Sequence, residues 1–311
     1  MTRYRAFAID VRAPFALPGA WGADPGDDRG RSPVAATELV VGPLPELVPS
    51  ASAPASAPAP APAPEGWEGI NDGRRLQVQA VSGGDHRFVY GGRPVFHLSA
   101  DHRTLTTGSP AHADIHWWRI LMDSVLFTVS LLRGHEALHA AACAGEGGAL
   151  AIVAGTGGGK STLLAELLSR GRQLVTDDVL FVEERAGTVL AHPGPPLMTL
   201  PRHGRTELLT PLGEVGDELW GAVATVAQPV ALRRIVVLDR RPGAATTFTA
   251  MARPLAALVG NLLAFPAGAA REAARFSLAA AVASQAEIWQ LVSDVSTSPA
   301  ALADIVMHGA G

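Results

Sequence analysis

The segment 154–162 constrains the fold more than any other part of this chain. It reads Ala-Gly-Thr-Gly-Gly-Gly-Lys-Ser-Thr, and it lies between an apolar run at 149–154 and a leucine-rich run at 161–170. A strand, a glycine-rich turn and a helix in this order let backbone N–H groups converge on phosphate oxygens at the start of the helix. The sequence therefore predicts an α/β protein built around a nucleotide-binding loop.

Every residue of this loop after Ala154 has a predicted role in binding ATP. Lys160, the only lysine in the chain, is predicted to reach the β- and γ-phosphates, and Ser161 to place its hydroxyl on Mg²⁺. The strict phosphate-loop pattern GxxxxGK[S/T] has glycine at position 154, where this chain has alanine. The loop can therefore be shifted by one residue or be one residue short. A third alternative is a flexible glycine turn that binds no ligand. The predicted ATP-binding set is Gly155, Thr156, Gly157, Gly158, Gly159, Lys160, Ser161 and Thr162.

Asp177 and Asp178 follow the next apolar run, which begins at Leu174. If that run is a strand, both carboxylates project from the carboxyl edge of the sheet beside the loop. One carboxylate can accept a proton from an attacking hydroxyl, while the other helps to hold the metal that bridges the phosphates. A solvated Asp-Asp turn is the alternative interpretation.

A β-hairpin is predicted to bring His139 to the same place. The runs 138–144 and 149–154 flank the turn sequence Gly-Glu-Gly-Gly, which is typical of a hairpin. With the turn centred between Glu146 and Gly147, antiparallel pairing puts His139 opposite residue 154. His139 can then orient an aspartate, although an isolated histidine is more often structural.

A competing motif overlaps this histidine. Residues 135–139 read His-Glu-Ala-Leu-His, the HExxH pattern of zinc peptidases. That chemistry requires a helix through both histidines, whereas Gly134 precedes the motif and the following residues lead into the predicted hairpin. A spaced third ligand is also missing, so the sequence disfavours a zinc site.

The rest of the chain predicts two units, a β-rich segment at 1–110 and an α/β core with C-terminal helices at 111–311. Residues 49–64 contain only Pro, Ala and Ser, a composition typical of a disordered loop, which we place at 49–66. The apolar run 115–132 carries two charges and predicts a buried helix rather than a membrane span. Strands are predicted at 5–11, 38–44, 76–81, 86–90 and 233–238, and helices at 254–264, 269–283 and 299–307, which makes the C-terminal third mostly helical.

Composition narrows the predicted partners. The net charge is −4 and the 25 Lys and Arg residues are scattered, so neither nucleic acid nor a membrane surface is a predicted partner. The single cysteine, Cys143, excludes an internal disulfide, and the polar start of the chain does not predict a signal peptide. A cytoplasmic location is expected.

The motifs of residues 133–200 together resemble the HPr serine kinase/phosphorylase family. The resemblance rests on Leu138-His139-Ala, the Lys160-Ser161-Thr162 loop, Arg170-Gly171, Leu174-Val-Thr-Asp177-Asp178 and Pro195-Pro196-Leu197-Met198. It implies a P-loop kinase core of the HPr kinase and phosphoenolpyruvate carboxykinase type that uses ATP and Mg²⁺. By this resemblance His139 lies behind the nucleotide, Asp177 is the base, and Ser161 and Asp178 hold the metal. The implied catalytic set is Asp177, Asp178, His139 and Lys160.

Two departures qualify the resemblance. The family has a glutamate in a Glu-x-Arg-Gly segment, where this chain has Thr199-Leu-Pro-Arg202-His-Gly204. The N-terminal part does not resemble the regulatory domain of HPr kinases but is similar to the short strand-rich start of HPr kinase-related proteins of bacterial natural-product clusters. Some of those proteins phosphorylate a serine on a lasso-type precursor peptide. The expected function is therefore transfer of the ATP γ-phosphoryl group to a serine or threonine hydroxyl of a peptide or small protein.

Four questions stay open from the sequence. A free small molecule such as an amino acid is an alternative acceptor, and a nucleotide-binding regulator without catalysis is an alternative function. Arg202 and Arg205 can contact a phosphate or an acceptor carboxylate, or can be ordinary surface arginines. The resemblance also leaves a homo-oligomer open.

Overall fold

The computed structural model describes residues 2–19, 21, 36–42, 44, 68–71, 74–108, 114–265 and 267–309. Within these ranges the chain is a mixed α/β protein whose strands form three sheets, with a few helices packed against them. The predicted disordered loop at 49–66 lies outside the described residues. The predicted boundary between 110 and 111 falls in a gap of the description and stays a prediction.

The N-terminal part forms one eight-stranded sheet with the order β1-β2-β3-β8-β7-β6-β5-β4. Its strands are β1 (Thr2–Ala6), β2 (Ile9–Ala13), β3 (Thr37–Val41), β4 (Glu68–Asn71), β5 (Arg74–Ala80), β6 (His86–Tyr90), β7 (Arg93–Leu98) and β8 (Thr104–Thr107). The predicted β-rich character of this segment is confirmed. The single strand predicted at 5–11 is wrong, because the chain reverses at Phe7 and Ala8, whose φ angles of 53° and 65° are those of a tight hairpin turn.

A buried helical rod follows the N-terminal sheet. It consists of α1 (Ile115–Ile120), a π-helical segment (Leu121–Val125) and α2 (Leu126–Leu132). Among the described residues it alone has the length and composition of a membrane span, but 61% of its apolar window is buried inside the protein. That degree of burial is typical of a core helix, as the sequence predicted.

The remaining strands are β9 (Glu136–Gly145), β10 (Gly148–Val153), β11 (Gln173–Thr176), β12 (Val179–Arg185), β13 (Thr188–Ala191), β14 (Leu197–Pro201), β15 (Thr210–Val215), β16 (Glu218–Ala222), β17 (Val230–Arg240), β18 (Thr247–Ala250) and β19 (Glu287–Ser293). The central sheet runs β10-β9-β12-β13-β17-β19-β18, and β11 also pairs with β9. Because β17 pairs with both β13 and β10, the sheet curls back on itself. β14, β16 and β15 form the small third sheet.

The later helices are α3 (Lys160–Ser169), α4 (Pro254–Val259), α5 (Ala269–Gln285) and α6 (Pro299–His308). The prediction of a mostly helical C-terminal third is wrong, since the strands β15 to β18 precede α4 and α5, and β19 lies between α5 and α6. The helix predicted at 254–264 ends at Val259. Asn261 and Leu263 instead make backbone hydrogen bonds with His139 and Ala137 of β9, at 2.8 and 2.9 Å, which draw the chain into an extended conformation.

Phe7, at the tip of the β1–β2 hairpin, ties the N-terminal sheet to the rest of the protein. Its ring contacts Phe127 of α2 and Phe181 of β12, with ring centroids 6.3 and 5.5 Å apart. Its backbone N–H donates to the carbonyl of Pro193 at 2.8 Å, and the Ser130 hydroxyl donates to its carbonyl. The N-terminal sheet therefore shares one hydrophobic core with the α/β part.

Replacing Phe7 by alanine tests this connection. Phe7 is 4% exposed, so we expect Phe7→Ala to lower the free energy of unfolding by about 3–5 kcal/mol. The matched control is Phe276→Ala, because Phe276 is 56% exposed and its loss should change stability by less than about 0.5 kcal/mol. Urea denaturation measures both variants. Equal, small effects would show that the hairpin tip does not anchor the sheet.

Candidate active site

Strand β9 places His139 between the two other parts of the candidate site. On one side β9 pairs with β10 from Gly145 opposite Gly148 to Ala140 opposite Val153. This is the register predicted from the turn, and it brings His139 next to Ala154 at the start of the glycine-rich loop. On the other side His139 pairs with Val179, the residue that follows Asp178. The sheet thus brings loop, histidine and aspartates to one edge.

The glycine-rich loop ends in an open helix N-terminus. Gly157 and Gly159 have φ angles of 71° and 91°, which glycine adopts without strain. Gly159 is the N-cap of α3 and has no side chain to cap it, and the first helical hydrogen bond runs from the N–H of Leu163 to the carbonyl of Gly159. The N–H groups of the first helical turn, including Lys160, are therefore available to an anion.

Alanine at position 154 fits because position 158 is glycine. A β-carbon on Gly158 would lie 2.8 Å from the β-carbon of Ala154 and 2.9 Å from the carbonyl oxygen of Gly155. The N–H of Gly158 donates to that same carbonyl at 2.9 Å. The loop is thus closed by a tight internal turn, and α3 begins at Lys160, one residue before the predicted helical run at 161–170.

Lys160, His139 and Asp178 form a chain of polar contacts. The Nζ of Lys160 lies 3.1 Å from the Nε2 of His139, and that same nitrogen lies 3.0 Å from Oδ1 of Asp178. One ring nitrogen cannot accept from the ammonium and donate to the carboxylate at once, so the tautomer decides which contact is a hydrogen bond. Lys160 is only 8% exposed. Its ammonium group lies close to the loop beside His139, and an incoming phosphate oxygen can replace the imidazole as its partner.

The pKa values of the two aspartates are shifted in opposite directions. Burial works to raise the pKa of Asp178, but the hydrogen bond and charge of His139 and the charge of Lys160 outweigh it and hold the pKa below its ordinary value. Burial raises the pKa of Asp177 to about 7, although the Thr199 N–H, Ser161 and Lys160 oppose the rise. Asp178 therefore suits a role as a permanent anion, and Asp177 a role in proton transfer.

Asp177 has one oxygen without a partner. Its Oδ2 accepts a hydrogen bond from the N–H of Thr199 at 3.0 Å. Its Oδ1 is completely buried and has no hydrogen-bond partner in the part of the chain that the structure describes. A buried acceptor left unpaired is costly, and such atoms are found where a substrate or ion completes the site.

A cleft of about 810 Å³ opens beside these carboxylates. Of the glycine-rich loop it reaches only Ser161, the residue expected to face the metal and the γ-phosphate. Its other walls come from segments far apart in sequence. They include His139, Asp177 and Asp178 at the sheet edge, Phe7 from the N-terminal hairpin, Arg119, Asp123 and Phe127 from the helical rod, Glu218 and Trp220 from β16, and Phe265 from the segment after α4.

Asp123 is a cleft residue that sequence reasoning missed. It lies in the π-helical segment and pairs with Arg119 at 3.5 Å. Burial raises the pKa of Asp123 to about 7, and the charges of Asp177 and Asp178 add to the rise while Arg119 opposes it. The sequence did carry a sign of it, since Arg119 and Asp123 are the charged residues in the otherwise apolar run 115–132.

Arg202 and Arg205 lie outside the cleft lining. Arg202 pairs with Glu214, and Arg205 pairs with Glu166 at 2.8 Å and with Glu207 at 3.4 Å. These contacts match the interpretation of both residues as ordinary surface arginines. They give no support to a phosphate-binding role.

The zinc-peptidase motif is not helical. His135 precedes β9 and Glu136 is its first residue, so the backbone is extended where the motif needs a helix. Glu136 is buried and pairs with Arg271 and Arg275, each at 3.2 Å. Nor does any group of three His, Cys, Asp or Glu side chains among the described residues have the arrangement of a metal site.

The predicted Mg²⁺ ligands, Ser161 and Asp178, suit an ion that takes its remaining ligands from phosphates and water.

Comparisons with known proteins give only distant structural likenesses. A scan against protein-family models finds no match, and a search of curated proteins finds none either. Among solved structures the chain is similar to the Hpr(Ser) kinase/phosphatase from Coxiella burnetii, with a TM-score of 0.31 and 14% identity over 56% of this chain and 95% of that chain. A likeness this weak carries no argument about activity.

The contact between positions 154 and 158 can be tested by mutation. We expect Gly158→Ala to lower the free energy of unfolding by about 1–3 kcal/mol, because the new methyl group overlaps the side chain of Ala154. The double variant Ala154→Gly/Gly158→Ala should recover part of this loss, since only the clash with the Gly155 carbonyl remains. Thermal and urea unfolding of wild type, Ala154→Gly, Gly158→Ala and the double variant provide the measurement. Strictly additive effects in the double variant would contradict the contact.

Proposed function

We propose that this protein transfers the γ-phosphoryl group of ATP to the hydroxyl group of a serine or threonine acceptor. The observation that carries the proposal is the unpartnered Oδ1 of Asp177. Asp177 lines the cleft together with Ser161, next to an aspartate whose neighbours keep it ionised. A base, a phosphate-binding loop and a recess for an acceptor are therefore in one place, as phosphoryl transfer requires.

The loop and α3 provide the binding half of the reaction. In this proposal the phosphates of ATP lie over the N–H groups at the start of α3, where the helix dipole favours negative charge. Lys160 exchanges its contact with His139 for a phosphate oxygen. Ser161 and Asp178 would hold Mg²⁺, which would supply positive charge to the phosphates.

Asp177 provides the proton-transfer half. The acceptor hydroxyl donates its proton to Oδ1, and its oxygen forms a bond to the γ-phosphorus as the bond to the β-phosphate oxygen breaks and ADP leaves. The hydrogen bond from the Thr199 N–H to Oδ2 orients the carboxyl group for this role. His139 holds Asp178 in place, and the apolar walls of the cleft limit access of water.

A peptide or small protein is the first acceptor to consider. The family resemblance described above makes a ribosomally made precursor peptide, such as a lasso-type precursor, the specific candidate. The recess walled by Phe7 and Trp220 also favours a second candidate, a free small molecule such as an amino acid, because it encloses a ligand from several sides. A cytoplasmic location and a homo-oligomer remain predictions.

ATP binding and turnover with Mg²⁺ test the proposal directly. Wild type is compared with Lys160→Ala by calorimetry, and candidate peptides and amino acids are examined by intact mass for an added phosphate. Addition of phosphate by wild type and not by the variant supports a kinase. Nucleotide binding without transfer to any acceptor would favour a regulator, and absence of nucleotide binding would contradict the proposal.

Replacing Asp177 separates chemistry from binding. We expect Asp177→Asn to lower the rate of transfer by about 100-fold or more, because it removes the proton acceptor, while the Kd for ATP changes by less than about threefold. Lys160→Ala should weaken both transfer and ATP binding. Asp304→Asn is the matched control, since Asp304 is an exposed surface residue paired with Arg170. Normal transfer by Asp177→Asn would refute the assignment of the base.

A further inference from the structure

Besides the sheet edge, the helical rod and β16 form walls of the cleft. Asp123 is 35% exposed and lines the cleft, and Arg119 beside it is 12% exposed. Phe127 and Trp220 provide apolar surface next to this pair. The π-helical segment that contains Asp123 is an irregularity of a kind often found at functional sites.

The charges that line the cleft are unbalanced. Among the described residues, Arg119 is the one arginine or lysine in the lining, whereas four carboxyl groups belong to it, those of Asp123, Asp177, Asp178 and Glu218. In the proposed reaction the positive charges of Lys160 and the metal would lie near Ser161, Asp177 and Asp178. Asp123 and Glu218 then face the acceptor with only Arg119 to compensate them. The raised pKa of Asp123 agrees that a single guanidinium does not offset its burial and its acidic neighbours.

A metal ion without phosphate ligands is a poor match for the surroundings of Asp123. No three carboxyl, imidazole or thiol groups of the described residues converge in the way a metal site needs. An organic cation fits better, because its methylene groups or ring can pack on Phe127 and Trp220 while its N–H groups donate to a carboxylate. Asp177, whose buried Oδ1 has no hydrogen-bond partner among the described residues, lines the same cleft.

We infer that Asp123 binds an ammonium or guanidinium group of the acceptor, so that the preferred acceptor carries a positive charge close to its reacting hydroxyl. The inference rests on the proposed function for naming this ligand as the acceptor. The cation is either a lysine or arginine side chain near the target residue of a peptide, or the amine of a small hydroxylated molecule. Asp123 is then a specificity-determining residue.

Matched acceptors that differ only in charge test the inference. One arm uses serine peptides with a lysine one to three residues from the serine, compared with the same peptides carrying acetyl-lysine. The other arm uses amino alcohols, including serine and threonine, compared with their N-acetyl forms. Acetylation removes the charge and keeps the hydroxyl group. Phosphoryl transfer is measured as kcat/KM, and binding is measured separately by calorimetry with Mg²⁺ and a non-hydrolysable ATP analogue.

Wild type should prefer the charged acceptor of each pair by about tenfold or more in kcat/KM, and a tenfold preference corresponds to about 1.4 kcal/mol. The difference should lie mainly in KM. Asp123→Asn should reduce this preference to less than about threefold, and Asp123→Glu, which keeps the charge, should retain most of it. Asp304→Asn, outside the cleft, should behave as wild type. The arm that shows the preference identifies the source of the cation.

Each outcome separates the two proposals. Transfer with no charge preference, or a preference that survives Asp123→Asn, overturns the inference and leaves the kinase proposal standing. Charge-dependent binding that is lost in Asp123→Asn, without transfer by wild type, supports the cation site and overturns the kinase proposal. Absence of both transfer and charge-dependent binding overturns both.

Discussion

The pairing of β9 with β10 on one side and with β12 on the other is the constraint on which the site depends. It fixes His139 between the glycine-rich loop and Asp178, within hydrogen-bond reach of both Lys160 and the carboxylate. A shift of one residue in this register would turn the histidine to the opposite face of the sheet. The pairing of these strands thus determines the electrostatics of the site, because it brings Lys160, His139 and Asp178 into contact.

The cleft depends on contacts between segments that are distant in sequence. Phe7 reaches it from an N-terminal hairpin whose turn holds two non-glycine residues at positive φ, a conformation that costs free energy. The Ser130 hydroxyl, the Pro193 carbonyl and the rings of Phe127 and Phe181 offset that cost. The N-terminal sheet is therefore a wall of the candidate active site as well as a unit of the fold.

Several elements could be predicted because local sequence determines them. Hydrophobic runs with glycine turns located β9, β10, α3 and β11 to within one or two residues. The Phe7-Ala8 turn could not be predicted, since tight hairpin turns usually contain Asn-Gly and this one is held by tertiary contacts. The alanine and leucine content of the segment after α4 predicts a helix, but its backbone hydrogen bonds go to β9. Propensity is a weak guide where a sheet edge offers partners.

The sequence by itself determined the glycine-rich loop, its lysine and serine, the aspartate pair and, through the hairpin turn, the position of His139. These features depend on residues close together in the chain, so their spacing specifies them. Only the tertiary structure decided that Asp123, Arg119, Phe7 and Trp220 line one cleft with Asp177. It also decided which of two adjacent carboxyl groups is kept ionised, because desolvation and neighbouring charges depend on how the whole chain packs.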